Sequence, residues 1–149
     1  MLSNMTDPLA RYAAALETLE RETLPALLTL CDPELHFRDP FNDCHGVDAF
    51  GRVMGDMFDK LDNVRFKANH VAWSAADASA ALMHWTLEAN LRAFDGKPWR
   101  VEGCSMLRFG DDGRLTAHYD YWDAAAGLYE RIPLLGYVLR TLRRRIRVR

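Results

Sequence analysis

Residues 64–74, 78–91, 99–109 and 114–122 form four long strand-like runs with only tight turns between them. Asp77, Asp95-Gly96 and Asp111-Asp112-Gly113 punctuate these runs with residue types that tolerate sharp reversals. The reading is four consecutive antiparallel strands, which commits most of the second half of the chain to one sheet.

What comes before the strands reads as helix. Thr6-Asp7-Pro8 offers a capping side chain and a proline for the first turn. Leu9, Tyr12, Ala13, Leu16 and Leu19 then recur on one helical face. A second short helix is expected over 23–30, with Pro25 tolerated in its first turn. Asp32-Pro33 should break it, and 34–38 reads as a short strand. After a polar turn at 42–46, residues 47–61 place Phe50, Val53, Met54, Met57, Phe58 and Leu61 on an inward face. Residues 124–131 and 134–148 read as terminal helices divided by Pro133. Helices first and strands later indicate a single α+β domain over 1–149, its helices packed on one face of a curved antiparallel sheet.

Composition narrows the classes of function. With 49% hydrophobic and 27% charged residues in 149, the chain can bury a core without disulfides or a metal. Cys31, Cys44 and Cys104 are too widely spaced for a zinc knuckle and odd in number, so reduced, partly buried thiols are expected. No apolar run reaches the roughly 18–20 residues that span a bilayer. The N-terminus lacks the pattern of a signal peptide, so a cytoplasmic location is the expectation. Six arginines in the last ten residues offset −8 over residues 1–139, giving −2 in all. An acidic body without a basic stripe is a poor nucleic-acid binder. In the tail, Leu134, Leu135, Val138, Leu139, Leu142 and Ile146 fall at helical spacing with arginines on the remaining face. Such a basic amphipathic helix can lie on an anionic membrane. It can equally cap the domain or pack on a dimer mate, and packing is the reading preferred from sequence.

Asp39 stands in His36-Phe37-Arg38-Asp39-Pro40-Phe41, among apolar residues and before a proline. Such a carboxylate either braces a turn or, short of hydration beside Phe37 and Phe41, serves as a base. His118 and Asp120 are two apart on the last strand and share a side. Alternation by itself turns Leu115, Ala117, Tyr119 and Tyr121 inward and sets the His–Asp pair outside. His36, Asp39, Asp43 and His45 match no established ligand spacing, so no metal is expected. No phosphate loop, dinucleotide fingerprint or haem motif occurs, and no cofactor is expected.

Arg11-Tyr12-x-Ala14-Ala15-Leu16, Asp39-Pro40, Gly46-x-x-Ala49-Phe50 and Leu107-Arg108-Phe109-x-x-x-Gly113-x-Leu115, in this order over residues 6–125, resemble the nuclear transport factor 2-like superfamily. That superfamily includes ketosteroid isomerases, SnoaL-like polyketide cyclases and limonene epoxide hydrolases. The resemblance implies a cone of helices and bent sheet around an apolar pocket, and a homodimer through the outer sheet face. Set against ketosteroid isomerase, Tyr12 falls at the oxyanion-hole tyrosine and Asp39 at the proton-shuttling aspartate. Ser105 replaces the family's protonated aspartic acid, a weaker donor. Against limonene epoxide hydrolase, Asp120 matches one member of an Asp-Arg-Asp set, which puts His118 and Asp120 at the pocket wall. Leu87 and Ala89 stand where the other two members belong, so epoxide hydrolysis is not expected.

The functional expectation is therefore proton abstraction from a small apolar carbonyl compound, with isomerisation, cyclisation or dehydration all compatible. Asp39 is the base, Tyr12 the oxyanion donor, and His118 with Asp120 an auxiliary acid–base pair. Ser105, Phe37, Phe41, Trp85, Trp122 and Phe58 are the expected substrate contacts. The competing expectation is a non-catalytic binder of a hydrophobic ligand or a protein partner.

Overall fold

The computed structural model describes residues 6–147. Helix α1 (Pro8–Glu17) begins as its sequence asks: the Asp7 carboxylate accepts from the Leu9 amide and Pro8 occupies the first turn. Its apolar stripe of Leu9, Tyr12, Ala13 and Leu16 is buried. Helix α2 (Leu24–Leu28) is shorter than expected, and β1 (Cys31–Arg38) starts three residues early, running through Pro33. The strand tolerates that proline because its pairing with the sheet shifts register between Cys31 and His36, where no ladder N–H is required. Strand β2 (Asp43–His45) returns along β1, and Gly46, at φ 91°, turns the chain into α3 (Val47–Lys60). Only glycine enters that backbone region without strain.

The four expected strands are present as β3 (Leu61–Trp73), β4 (Ala80–Leu91), β5 (Lys97–Phe109) and β6 (Leu115–Trp122). They pair antiparallel in sequence order, and the whole sheet reads β2-β1-β6-β5-β4-β3. The expectation of a wholly antiparallel sheet is corrected at one joint, because β1 lies parallel to β6. No hairpin ties those two strands, so nothing local imposes the antiparallel direction there. Strand β3 carries an extra residue between Asp62 and Arg65 and another between Ala68 and His70. Asn63, at φ 53°, sits in the first of these bulges. Bulges add twist and bend the strand, which curves the sheet around α1 and α3.

Two tryptophans of the concave face meet across Gly103. Trp85 and Gly103 are partners between β4 and β5, and Gly103 and Trp122 between β5 and β6. A Cβ at 103 would lie 2.6 and 2.8 Å from the Trp85 ring and 3.0 Å from Trp122 Cβ. The missing side chain is what lets both indoles lie on the wall.

Past the sheet, α4 (Ala124–Gly127) is capped by the Asp123 carboxylate, and a turn of 3-10 helix (Tyr129–Arg131) leads into α5 (Pro133–Ile146). The expected helix over 134–148 thus ends two residues sooner, and residue 148 lies outside the described residues. Among the described residues no helix is long and apolar enough to cross a membrane. Cys31 is buried, Cys44 half-buried and Cys104 exposed, and none of the three is bonded to another.

Gly103→Ala should destabilise the fold by about 1–3 kcal/mol through overpacking. The denaturation midpoint will fall, and tryptophan fluorescence of the native state will shift because Trp85 must move.

Candidate active site

Strand β6 decides which side chains reach the concave face. Arg108 pairs with Ala117 but Phe109 pairs with Leu115, so Thr116 is an extra residue without a partner. That bulge resets the alternation. Leu115 faces inward, and so does His118 opposite Leu107, with Asp120 and Trp122 following it. Tyr119 and Tyr121, which simple alternation turns inward, instead meet His36 and Arg38: Tyr119 Oη is 2.7 Å from His36 Nδ1, and Arg38 donates to Tyr121 Oη at 2.9 Å.

A chain of buried hydrogen bonds runs through His118. Tyr12 Oη lies 2.7 Å from His118 Nδ1, and His118 Nε2 lies 2.8 Å from Asp120 Oδ1. Ser105 Oγ bonds to the same Asp120 oxygen, and Trp85 Nε1 donates to Ser105 Oγ at 2.8 Å. The proton positions follow from donor chemistry. An indole N–H only donates, so Ser105 accepts from Trp85 and gives its own proton to Asp120. Burial, reinforced by Cys31 and Asp120, holds the Tyr12 hydroxyl well above the ordinary tyrosine range, so it keeps its proton. Tyr12 therefore donates to Nδ1, and His118 carries its proton on Nε2 toward the carboxylate. Asp120 Oδ1 receives two donors, while Oδ2 accepts from none of the described residues.

Trp85, His118 and Asp120 of this chain of bonds border an apolar cavity of about 290 Å³, bounded by the sheet, α1, α3 and the α4 end of the chain. His118, Asp120, Asp39, Asn42, Phe37, Phe41, Trp85 and Trp122 all reach its wall. Val53, Met54, Met57 and Leu128 add soft apolar surface. Phe41, half exposed, stands edge-on to Trp122 at 5.5 Å.

The expected site residues divide by placement. Phe37, Phe41, Trp85, Trp122, Asp39, His118 and Asp120 line one cavity. Tyr12 and Ser105 are fully buried behind it, their hydroxyls committed to His118 and Asp120. The Tyr12 hydroxyl, which the resemblance implies as an oxyanion donor, bonds to the His118 imidazole and is not on the cavity wall. Phe58 is not on the cavity wall; the Arg21 guanidinium lies 5.8 Å from its ring.

Asp39 braces the turn after β1. Its Oδ1 accepts from the Phe41 amide at 2.7 Å, the Asn42 amide at 2.6 Å and Asn42 Nδ2 at 3.0 Å, and Oδ2 lies 3.1 Å from the same Nδ2. The Asp39 amide donates to the Asn42 carbonyl at 2.9 Å. Sequence reasoning placed Asn42 in a turn but did not place it on the cavity wall, where it also lies. The parallel register pairs Arg38 with Tyr119, so Asp39 and Asp120 come one residue further along neighbouring strands. Two carboxylates thus meet the cavity from the same end of the β1–β6 joint.

His36, Asp43 and His45 form the one cluster of potential metal ligands among the described residues. His36 Nε2 is 2.7 Å from Asp43 Oδ1, and its ring stacks on His45 with centroids 4.0 Å apart and planes at 13°. The ligand atoms of the three lie within 4.8 Å of one another, and both ring nitrogens of His36 are already engaged, Nε2 with Asp43 and Nδ1 with Tyr119. That hydrogen bond from His36 holds the Asp43 carboxyl below its usual range. Burial pushes the Cys31 thiol up to about 12, which makes it an inert core residue.

A family model described as SnoaL-like domain matches residues 10–118. Among curated proteins, none matches the chain. Several solved structures share the fold. A nuclear transport factor 2-like protein of unknown function from an Exiguobacterium species is 18% identical with TM-score 0.68, covering 78% of this chain and 98% of its own. A putative polyketide cyclase from Pseudomonas putida is 19% identical with TM-score 0.64, covering 79% and 90%. An LEH-like epoxide hydrolase from M. tuberculosis is 18% identical with TM-score 0.65, covering 92% of each chain.

Tyr12→Phe should cost about 1–3 kcal/mol by leaving His118 Nδ1 unpaired in the interior. The pH sign is also determined. Raised in the fold, the Tyr12 pKa contributes stability that is complete below the unfolded value near about 10 and declines as pH rises above it. Denaturation midpoints followed into alkali should fall for the native sequence, and less steeply for Tyr12→Phe.

Proposed function

Because the chain belongs to the SnoaL-like family, a fold that carries many chemistries, we propose from its own site that it is an acid–base enzyme abstracting a proton from carbon beside the carbonyl of a small apolar substrate. One observation carries this reading. A carboxylate on the wall of an apolar cavity has one oxygen fixed by His118 and Ser105 and the other unclaimed.

In this scheme Asp120 is the base. Its Oδ2 takes the proton, the C–H electron pair becomes the new C=C bond, and the carbonyl π pair moves to oxygen. The resulting carboxylic acid returns the proton to another carbon, so the enzyme is regenerated without redox change. His118 Nε2–H and Ser105 O–H hold Oδ1 and so fix the plane in which Oδ2 acts. Tyr12 and Trp85 are positioning residues, each acting through the group it bonds. The apolar walls exclude water that would quench the enolate. A solved neighbour described as a putative polyketide cyclase is in keeping with such chemistry. Epoxide hydrolysis is not proposed, because Leu87 lines the cavity and Ala89 is buried where that chemistry needs an arginine and a second carboxylate.

Asp39 gives a second reading, since it reaches the same cavity. Three hydrogen bonds to its Oδ1 favour turn bracing over proton transfer, so it ranks below Asp120 as base. The expected homodimer through the outer sheet face remains part of the proposal, with the exposed Leu82 and Tyr121 available there.

The test is turnover of a β,γ-unsaturated ketone panel, followed by conjugated-enone absorbance. Asp120→Asn should lower kcat by about 10²–10⁴-fold, the usual worth of a positioned base, and Asp39→Asn by less than about tenfold. Collapse in Asp39→Asn alone would transfer the base to Asp39. Binding without turnover, read as ketone-dependent quenching of tryptophan fluorescence, would support a non-catalytic binder.

A further inference from the structure

Helix α5 is docked by the side that would ordinarily face water. Gly136 is its buried residue, and a Cβ there would lie 2.1 Å from the Glu130 carbonyl oxygen. Arg140 Nη1 donates to that same carbonyl at 2.9 Å. Arg143 Nη2 lies 2.9 Å from Glu130 Oε1 and 3.4 Å from Asp123 Oδ2. At 100° per residue, Gly136, Arg140, Arg143 and Arg147 therefore share the inward arc. Leu134, Val138 and Leu142 occupy the opposite one, Leu135 and Ile146 stand on its flank, and half-buried Leu139 lies toward the inward side near Ala125 and Glu130; Leu134 is 81% and Ile146 80% exposed.

An amphipathic helix held this way exposes an apolar stripe that Arg145 enters near its C-terminal end, and charge selects what covers it. Residues 131–149 contain no aspartate or glutamate. Arg145 stands on the apolar arc between Leu134 and Val138, Arg144 lies between that arc and the inward arginines, and neither forms an ion pair among the described residues. A second copy meeting the same stripe two-fold would set arginines against arginines, which is repulsive. An anionic lipid surface instead accepts the leucines below its headgroups and pairs the guanidiniums with phosphate and carboxylate.

We propose that α5 is a membrane-surface helix, seating the domain on anionic bilayers through Leu134, Val138, Leu142 and Ile146, with Arg144 and Arg145 at the headgroups. Packing, the role preferred from sequence, would cover Leu134, Val138 and Leu142, which stand exposed, while Leu139 is half-buried against the domain. Leu128, just before the turn that holds α5, lines the cavity, so the helix stands beside the cavity's α4 side.

The full chain, mixed with vesicles of phosphatidylcholine or of phosphatidylcholine with phosphatidylserine, should cosediment with the anionic vesicles and be released by salt. Replacing Arg144 and Arg145 together by serine should weaken that binding more than about tenfold, since each arginine near the surface is worth roughly fivefold. The double change Leu142→Glu and Ile146→Glu should abolish it. Both variants alter exposed side chains, so their circular dichroism and denaturation midpoints should match the native sequence. Equal partitioning onto both vesicle types, or an arginine variant that binds undiminished, would overturn the proposal. So would a native chain that ignores vesicles but sediments as a dimer which the leucine variant splits, because the occupant would then be a second copy.

Discussion

Five polar groups drawn from four elements meet at the cavity wall and just behind it, and none of them could be buried alone. An unpaired hydroxyl, imidazole or indole N–H in this interior costs roughly 1–3 kcal/mol. Tyr12 from α1, Trp85 from β4, Ser105 from β5 and His118 with Asp120 from β6 satisfy one another in a single line. That line settles the distance of α1 from the sheet, the rotamer of Trp85 and the tautomer of His118 together. It also pre-orients a carboxylate, so the group that stabilises the packing is the group offered to a ligand. The apolar shell of Phe37, Phe50 and Phe109 around Tyr12 and His118 removes competing water and makes the arrangement specific.

Much of the fold was legible because its signals are local. The Asp7-Pro8 start, the stripe Leu9, Tyr12, Ala13 and Leu16, and the Asp/Gly turns each act within a few residues, and each appears as expected. The parallel β1–β6 joint was not legible, since no turn connects those strands and pairing between distant segments leaves no periodic trace. The bulge at Thr116 was invisible for a related reason. One unpaired residue reverses the inside–outside assignment of everything after it, and β6 has no glycine to announce the change. Here likeness to a known family placed His118 and Asp120 on the wall where alternation placed them outside.

Asp39 and Asp120 illustrate how environment separates two chemically identical side chains. Asp39 is followed by Pro40 and Asn42, and its carboxylate is consumed by the turn those residues create. Asp120 lies within a strand, where backbone amides are taken up by the ladder and cannot bind it. Its partners must come from other side chains, and these reach only one of its two oxygens. The difference is local backbone geometry and not the apolar character of the neighbours, which both residues share.

The joint between β1 and β6 carries a consequence for the order in which the molecule assembles. His36 and Ala117 pair across about eighty residues, whereas β3 through β6 close by short hairpins. Loop closure of that length is entropically the most expensive pairing in the sheet, and nothing in a half-formed meander rewards it early. Asp39 therefore reaches the cavity only once the long loop has closed. A chain arrested at the meander stage has its sheet but lacks one wall and one carboxylate of its pocket. Completion of the site therefore reports that the β1–β6 pairing has formed.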